Sequence, residues 1–266
     1  MVAVNEGAAL VVLPELAMTP FFAAEPAGSH DGWAQPFDGE LLTDIGRIAA
    51  ERDVVIVLPF FELDPATGDR HNSAVVLGPE GHISLVDRRG LARNTVRKLH
   101  LAPGPGGDER EHFTPGNDLG IAKVGGVQVG TLICYDRRFP ECWRELRALG
   151  ADVVAVPVAG EGGDDVDFYV GELRTHAREN GVSVIAANKV GVETLPGSRV
   201  RHYGESCVVD AEGTVIARRG GEEGPGVVVA EIDLDRQTRT RERFPYFEVR
   251  RTDLFGTTWN EREVRT

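Results

Sequence analysis

The stretch VQVGTLICYDRRFPE, residues 127–141, carries an apolar run onto a cysteine and follows it with a crowd of charges. Its β-branched residues predict a strand over 127–134, and Pro140 suits the first position of a helix that Gly150 stops. A strand that feeds a turn and then a helix is a unit of layered α/β architecture. Ligands collect at the C-terminal ends of such strands, and a nearby helix N-terminus lowers a thiol's pKa. Taken alone, a cysteine closing a core strand is more often packing, because free cysteine is among the most buried residue types.

Outward from this stretch, β-branched runs recur between turn signals at 9–15, 54–62, 73–78, 82–87, 152–159, 182–191, 207–210, 214–219 and 227–234. Helical spacing is clearest over 38–51, where Leu41, Leu42, Ile45, Ile48 and Ala49 share a face behind a possible Asp38 cap. A second helix, 140–149, turns Trp143, Leu146 and Leu149 inward, and a third spans 166–180 before Gly181. GPEG at 78–81 and DAEG at 210–213 read as hairpin turns. Hairpins mixed with strand–helix–strand units predict an α+β fold with a partly antiparallel sheet. The segment 89–118 is too long for an ordinary connection, and loops of that length are functional or disordered. Residues 1–235 read as one catalytic domain. Residues 236–266, with arginines at 236, 239, 241, 243, 250 and 251 around FPYF, read as a C-terminal arm over a surface, a neighbouring subunit's being one candidate.

The 266 residues hold 29 Lys and Arg against 42 Asp and Glu, a formal charge of −13. That balance repels phosphate backbones and argues against a nucleic-acid partner. No run reaches the roughly 18 apolar residues of a membrane span, and no signal-peptide pattern opens the chain, so a cytoplasmic protein is the expectation. Cys134, Cys142 and Cys207 form no CxxC pair, which argues against a cysteine-cluster zinc site, and no HExxH occurs.

Two further side chains lift Cys134 above packing. Glu15 closes the apolar run LVVLPE, and Lys98 lies in VRKLHL. Each alone is an ordinary solvated group. Together they supply what a cysteine nucleophile needs: a base for its proton and a positive group for the oxyanion.

The ordered motifs PE at 14–15, RKLHL at 97–101, FTPG at 113–116, ICYDRRFPE at 133–141 and ENGVSVIAANKVG at 179–191 resemble the carbon-nitrogen hydrolase family, the nitrilase superfamily. The resemblance covers nearly the whole chain. It implies a four-layer α-β-β-α sandwich, a homodimer or higher oligomer, and no metal or organic cofactor. It also implies Glu15 as general base, Lys98 as stabiliser of the tetrahedral intermediate, Cys134 as nucleophile and the Tyr135 backbone N–H as a second oxyanion donor. A further glutamate that positions substrate would be Glu109, with Glu111 the alternative. His100 would be a structural hydrogen-bonder, and Cys142 and Cys207 core.

The Cys-x-Asp-Arg-Arg order is closest to the N-carbamoyl amino acid and amine amidohydrolases, in which an arginine of this segment binds a substrate carboxylate. Arg137 or Arg138 would do so here, unless either pairs with Asp136, Glu141 or another acid to brace the turn. The acidic loop EGGDDVD at 161–167 argues for a cationic far end if it overhangs the pocket. The expected activity is hydrolysis of a small amide or N-carbamoyl compound; a nitrile hydrolase or a non-catalytic binding member of the family are the alternatives. Family members open with a strand and a helix before the strand that carries the first glutamate. Here only the few residues MVAVNEGA precede the run at 9–15, so the expectation is a fold lacking the first strand and most of the first helix, with an interior sheet edge and apolar surface laid open.

Overall fold

The computed structural model describes residues 2–104, 108–163 and 165–255. Two sheets face one another. The first runs Leu10–Val12, Val55–Leu63, Arg70–Gly78, Gly81–His82, with Val96–Arg97 also paired to Arg70–Gly78. The second runs Val215–Arg219, Ser206–Val209, Ser183–Asn188, Val153–Val158, Val127–Thr131, Gly120–Val124, Leu85–Asp87, Ala92–Arg93. Its central three strands are parallel and its flanks antiparallel. Covered on both faces, Val153–Val158 is buried at every position, as its unbroken apolar sequence requires.

Four layers follow from what each face buries. Between the sheets Val55, Val57, Ala74 and Val76 meet Leu85, Ala122, Val129 and Ala155. The helix Glu40–Arg52 lays Leu42 and Ala49 on the outer face of the first sheet, against Ile56, Leu58 and Val75. Helices Pro140–Ala148 and Val166–Asn180 lay Trp143, Leu146, Tyr169 and Leu173 on the second, against Val154, Val156 and Val184. The order is therefore α-β-β-α.

Several local expectations are corrected. The first long helix is N-capped by Gly39 without a side-chain bond, so Asp38 is not its cap. The strand entering the cysteine stops at Thr131, and Cys134–Arg138 form a 3-10 turn. The run 182–191 breaks into Ser183–Asn188 and Val190–Leu195, and the latter pairs with Ser198–Tyr203 as a separate hairpin. Among the described residues 227–233 join no sheet. They run beside the open edge of Leu10–Val12, and between them lies an apolar groove of about 940 Å³ floored by Val129, Val153 and Ile185.

The helix Leu234–Arg243 crosses the expected 235/236 boundary and packs on the body. Arg241 donates to the carbonyls of Gly181 (2.7 Å) and Ala151 (3.0 Å), and Gln237 accepts from Ser183 (2.7 Å). Beyond it Phe247 lies against Arg147 and Arg250, and Glu248 pairs with Arg147 at 3.1 Å. The arm thus rests on this chain's own helix Pro140–Ala148; its residues 256–266 lie outside the described residues. No helix among the described residues is long and apolar enough to cross a membrane.

Candidate active site

The site assembles where strand ends from both sheets meet. Pro14, with no N–H to donate, ends the strand Leu10–Val12, and the chain turns Glu15 inward to full burial. Pairing of Val96–Arg97 with Ser73 and Ala74 sets Lys98 beside Asn72, whose carbonyl accepts the Lys98 N–H at 2.8 Å. The 3-10 turn Glu109–Glu111 delivers Glu109 from the long irregular segment.

Lys98 Nζ donates to Oε1 of Glu15 and to Oε1 of Glu109, each at 2.7 Å, and the lysine is 1 % exposed. Asn72 Nδ2 donates to the same Glu15 oxygen at 2.7 Å. Oε2 of Glu15 accepts the Ala159 N–H at 2.9 Å, and Oε2 of Glu109 accepts that of Ala102 at 2.7 Å. Such a buried ion set persists only because every charge is hydrogen-bonded. Burial pushes the Glu15 carboxyl up, but the Lys98 charge and bonds from Lys98, the Cys134 thiol and Asn72 outweigh it, so Glu15 is held below its usual range. For Glu109, burial and the Glu15 charge prevail over Lys98, and its carboxyl is raised. Burial alone would lower Lys98; the two carboxylates raise it, so it is a permanent ammonium.

Cys134 is half-buried and holds φ +47°, a left-handed backbone that a residue with a Cβ adopts at a cost. Burial and the Glu15 charge push its thiol up to about 12, against the opposing pull of Lys98 and Arg137. The resting group is therefore a thiol hydrogen-bonded to the Glu15 carboxylate. Asp136 fixes the turn: its Oδ1 accepts the His100 N–H at 2.8 Å and His100 Nδ1 lies 2.9 Å away, while the Leu99 N–H reaches it at 3.2 Å. His100 is thus a hydrogen-bonder in that brace, its ring stacked on Phe139.

Glu15, Lys98, Glu109 and Cys134 are brought together, and Tyr135 follows the cysteine with its ring edge-on to Phe139. Glu111 is exposed. Arg137 is turned inward, 2 % exposed, with its Nε 3.1 Å from Glu172, its Nη1 3.0 Å from the Cys134 carbonyl and its Cζ 5.0 Å from the centre of the Tyr169 ring. Arg138 stands over Phe168 at 5.9 Å. Cys142 and Cys207 are buried in the core. The acids of the 161–167 loop separate: Asp165 caps the helix Val166–Asn180, Asp167 sits in its first turn, and Asp164 lies outside the described residues. Glu161 is half-buried, and its carboxyl is raised by burial and by the Glu15 charge, with His202 opposing.

Sequence reasoning missed Asn72, Asp136 and the Ala159 amide as parts of the site. A polar Asn72 inside HNSAVVL was the available signal, since a buried amide needs partners. Among the described residues one group of metal-ligating atoms stands out, His100, Asp136 and Cys142.

The carbon-nitrogen hydrolase family model matches residues 1–242. The chain is 30 % identical to the N-carbamoylputrescine amidase of Solanum lycopersicum over 264 residues, covering 94 % of this chain and 84 % of that one. A carbon-nitrogen hydrolase from Helicobacter pylori G27 superposes with TM-score 0.84 at 28 % identity, over 97 % of this chain and 89 % of that one. A variant of the amidase from Nesterenkonia sp. AN1 superposes with TM-score 0.70 at 26 % identity, over 95 % and 87 %, and carries acrylamide added to its active-site cysteine. With the four-layer fold and the buried Glu15–Lys98–Glu109 set, these likenesses lead to one conclusion: the chain belongs to the carbon-nitrogen hydrolase family and is an enzyme of that class.

Proposed function

We propose that this enzyme hydrolyses a small linear amide or N-carbamoyl compound through a thioester on Cys134, and that the far end of its substrate is cationic. The observation that carries the chemistry is Lys98 held between Glu15 and Glu109 while Glu15 bonds the Cys134 thiol. Cys134 attacks the carbonyl or carbamoyl carbon as Glu15 accepts the thiol proton. Lys98 and the Tyr135 N–H hold the oxyanion, at a place where dry surroundings strengthen both interactions. Glu15 returns the proton to the departing nitrogen. It then draws one from water, whose oxygen attacks the thioester, and passes that proton to the departing sulfur, which restores the thiol. Glu109 holds Lys98 and, through it, the carbonyl.

Glu161 supports the cationic end: among the described residues its carboxylate has no ion pair, and it lies within electrostatic reach of Glu15. Arg137 is already engaged by Glu172 and the Cys134 carbonyl, which leaves a substrate carboxylate poorly served. The tomato relative's name is consistent with that choice. The reading includes a cytoplasmic location, as the composition suggests, and a homodimer or higher oligomer, as the family resemblance implies; its mass in solution checks the assembly. The deciding experiment measures ammonia and amine release from cationic, neutral and anionic N-carbamoyl compounds, simple amides and nitriles. A cationic N-carbamoyl amine is expected to give the highest kcat/KM, and Cys134→Ala no turnover. Preference for an anionic compound overturns the cationic end, and turnover by Cys134→Ala overturns the chemistry.

A further inference from the structure

Three potential metal ligands of different chemistry converge beside the catalytic turn. His100 Nδ1 lies 2.9 Å from Asp136 Oδ1 and 3.9 Å from Cys142 Sγ, and one ligand atom from each residue falls within 4.8 Å of the others. A tetrahedral zinc ion at ordinary bond lengths separates its nitrogen, oxygen and sulfur ligands by roughly 3.3–3.6 Å. The two separations from His100 bracket that range and the third is within 4.8 Å, so side-chain shifts of about an ångström bring the three onto one ion. We propose that His100, Asp136 and Cys142 form an inhibitory site for a thiophilic divalent cation, zinc being the natural case.

Charge and access both favour it. Burial first, and then the charges of Asp136, Glu141 and Glu145, penalise a bare Cys142 thiolate, and that negative field welcomes a cation beside it. Asp136 and Cys142 are buried, but the His100 side chain is 35 % exposed, so an ion enters past the imidazole and keeps a water as its fourth ligand. On binding, the thiol proton leaves to solvent and any proton on Nδ1 moves to Nε2. The set escapes a reading of cysteine spacing because its three members come from a loop, a turn and a helix.

Inhibition follows from what Asp136 already holds. Its oxygens accept the N–H groups of Leu99 and His100, directly after Lys98, and it sits two residues after Cys134. An ion that draws Asp136 and His100 toward Cys142 loosens the brace that fixes both catalytic side chains. Binding stands apart from the proposed chemistry; the inhibitory half rests on it.

Cobalt(II), added to the full-length Cys134→Ala protein so that the reactive thiol cannot compete, reads the site directly. A thiolate-to-cobalt charge-transfer absorption is expected, and with Cys142→Ser or Cys142→Ala added the affinity should fall ~100-fold or more, the upper end of what losing even an outer partner of a ligand does. Absence of the band, or its survival in both double variants, overturns the site. In the otherwise native enzyme, zinc should inhibit and a chelator restore turnover, while Cys142→Ala keeps its basal rate and escapes inhibition. Equal inhibition of Cys142→Ala overturns the regulatory half. Turnover by Cys134→Ala, with the cobalt band present, would instead remove the catalytic reading and leave the metal site standing.

Discussion

The backbone N–H of Ala159 holds Oε2 of Glu15 at 2.9 Å, which ties that carboxylate to the same loop that carries Glu161 two residues later. Any movement of that loop is felt by both carboxylates. On the proposed mechanism, selectivity at the substrate's far end and deprotonation of the thiol would therefore be mechanically linked.

From this linkage, Glu161→Gln should lower kcat/KM for cationic N-carbamoyl amines about tenfold, the worth of one charge-assisted hydrogen bond. Neutral amides should be nearly unaffected. Glu161→Lys should favour anionic compounds instead. Steady-state kinetics on matched substrates decides the matter; equal losses on all of them would show that Glu161 acts only through the loop.

Glu15→Gln should reduce kcat by ~10²–10⁴, the usual contribution of a positioned general base. The fold should survive, because Lys98 keeps Glu109 as a partner. Circular dichroism and kinetics on the same preparation separate lost chemistry from lost structure.

Lys98→Met leaves Glu15 and Glu109 buried against each other with only the neutral Asn72 amide, 2.7 and 3.4 Å from their oxygens, to bridge them. Breaking a buried ion pair in this way is expected to destabilise by ~3–5 kcal/mol. Urea denaturation should show a lower midpoint, and much of the loss should be recovered in Lys98→Met/Glu109→Gln, which removes one of the stranded charges.

The acid limb of the pH–rate profile should fall below 4.5, the ordinary value for a glutamate, because Glu15 is held down and works only when ionised. Rate is then lost as pH drops through that depressed value. No alkaline limb should arise from Lys98, whose ammonium its two carboxylates hold up.

Glu193 offers a test of stability. Burial opposes its charge, but hydrogen bonds from His202, Lys189 and the Phe21 N–H hold its carboxyl at about 2, against an ordinary 4.5. A folded-state value depressed in this way stabilises above 4.5, and the stabilisation fades as pH falls toward 2. Because the group is partly exposed, its share is of order 1 kcal/mol after screening. Melting curves from pH 3 to 7 should be flatter for Glu193→Gln than for the parent protein.

Much of this was legible in the chain, for physical reasons that also mark the limit. Cys134 could be singled out because its environment is local: the apolar run, the turn and the proline-started helix are contiguous. Glu109 could be chosen over Glu111 only by motif spacing, and it is the tertiary contact with Lys98 that separates the two. Ser198–Tyr203 escaped notice although Val200 and His202 point inward between outward Arg199 and Arg201, since charged residues dominate its composition. Residues 227–234 have strand composition yet join no sheet among the described residues, because pairing depends on a neighbour that composition does not report. Asn72 and Asp136 act through partners distant in sequence, which no periodicity reveals.

The groove between Leu10–Val12 and the extended run 227–233 sets a practical condition on handling the protein. A backbone rim unpaired among the described residues, over an oily floor, is a template for any extended chain, including that of another molecule unfolding nearby. Colloidal behaviour should consequently worsen with concentration and on refolding, and charge-bearing replacements along that rim are the place to improve shelf life without approaching the thiol.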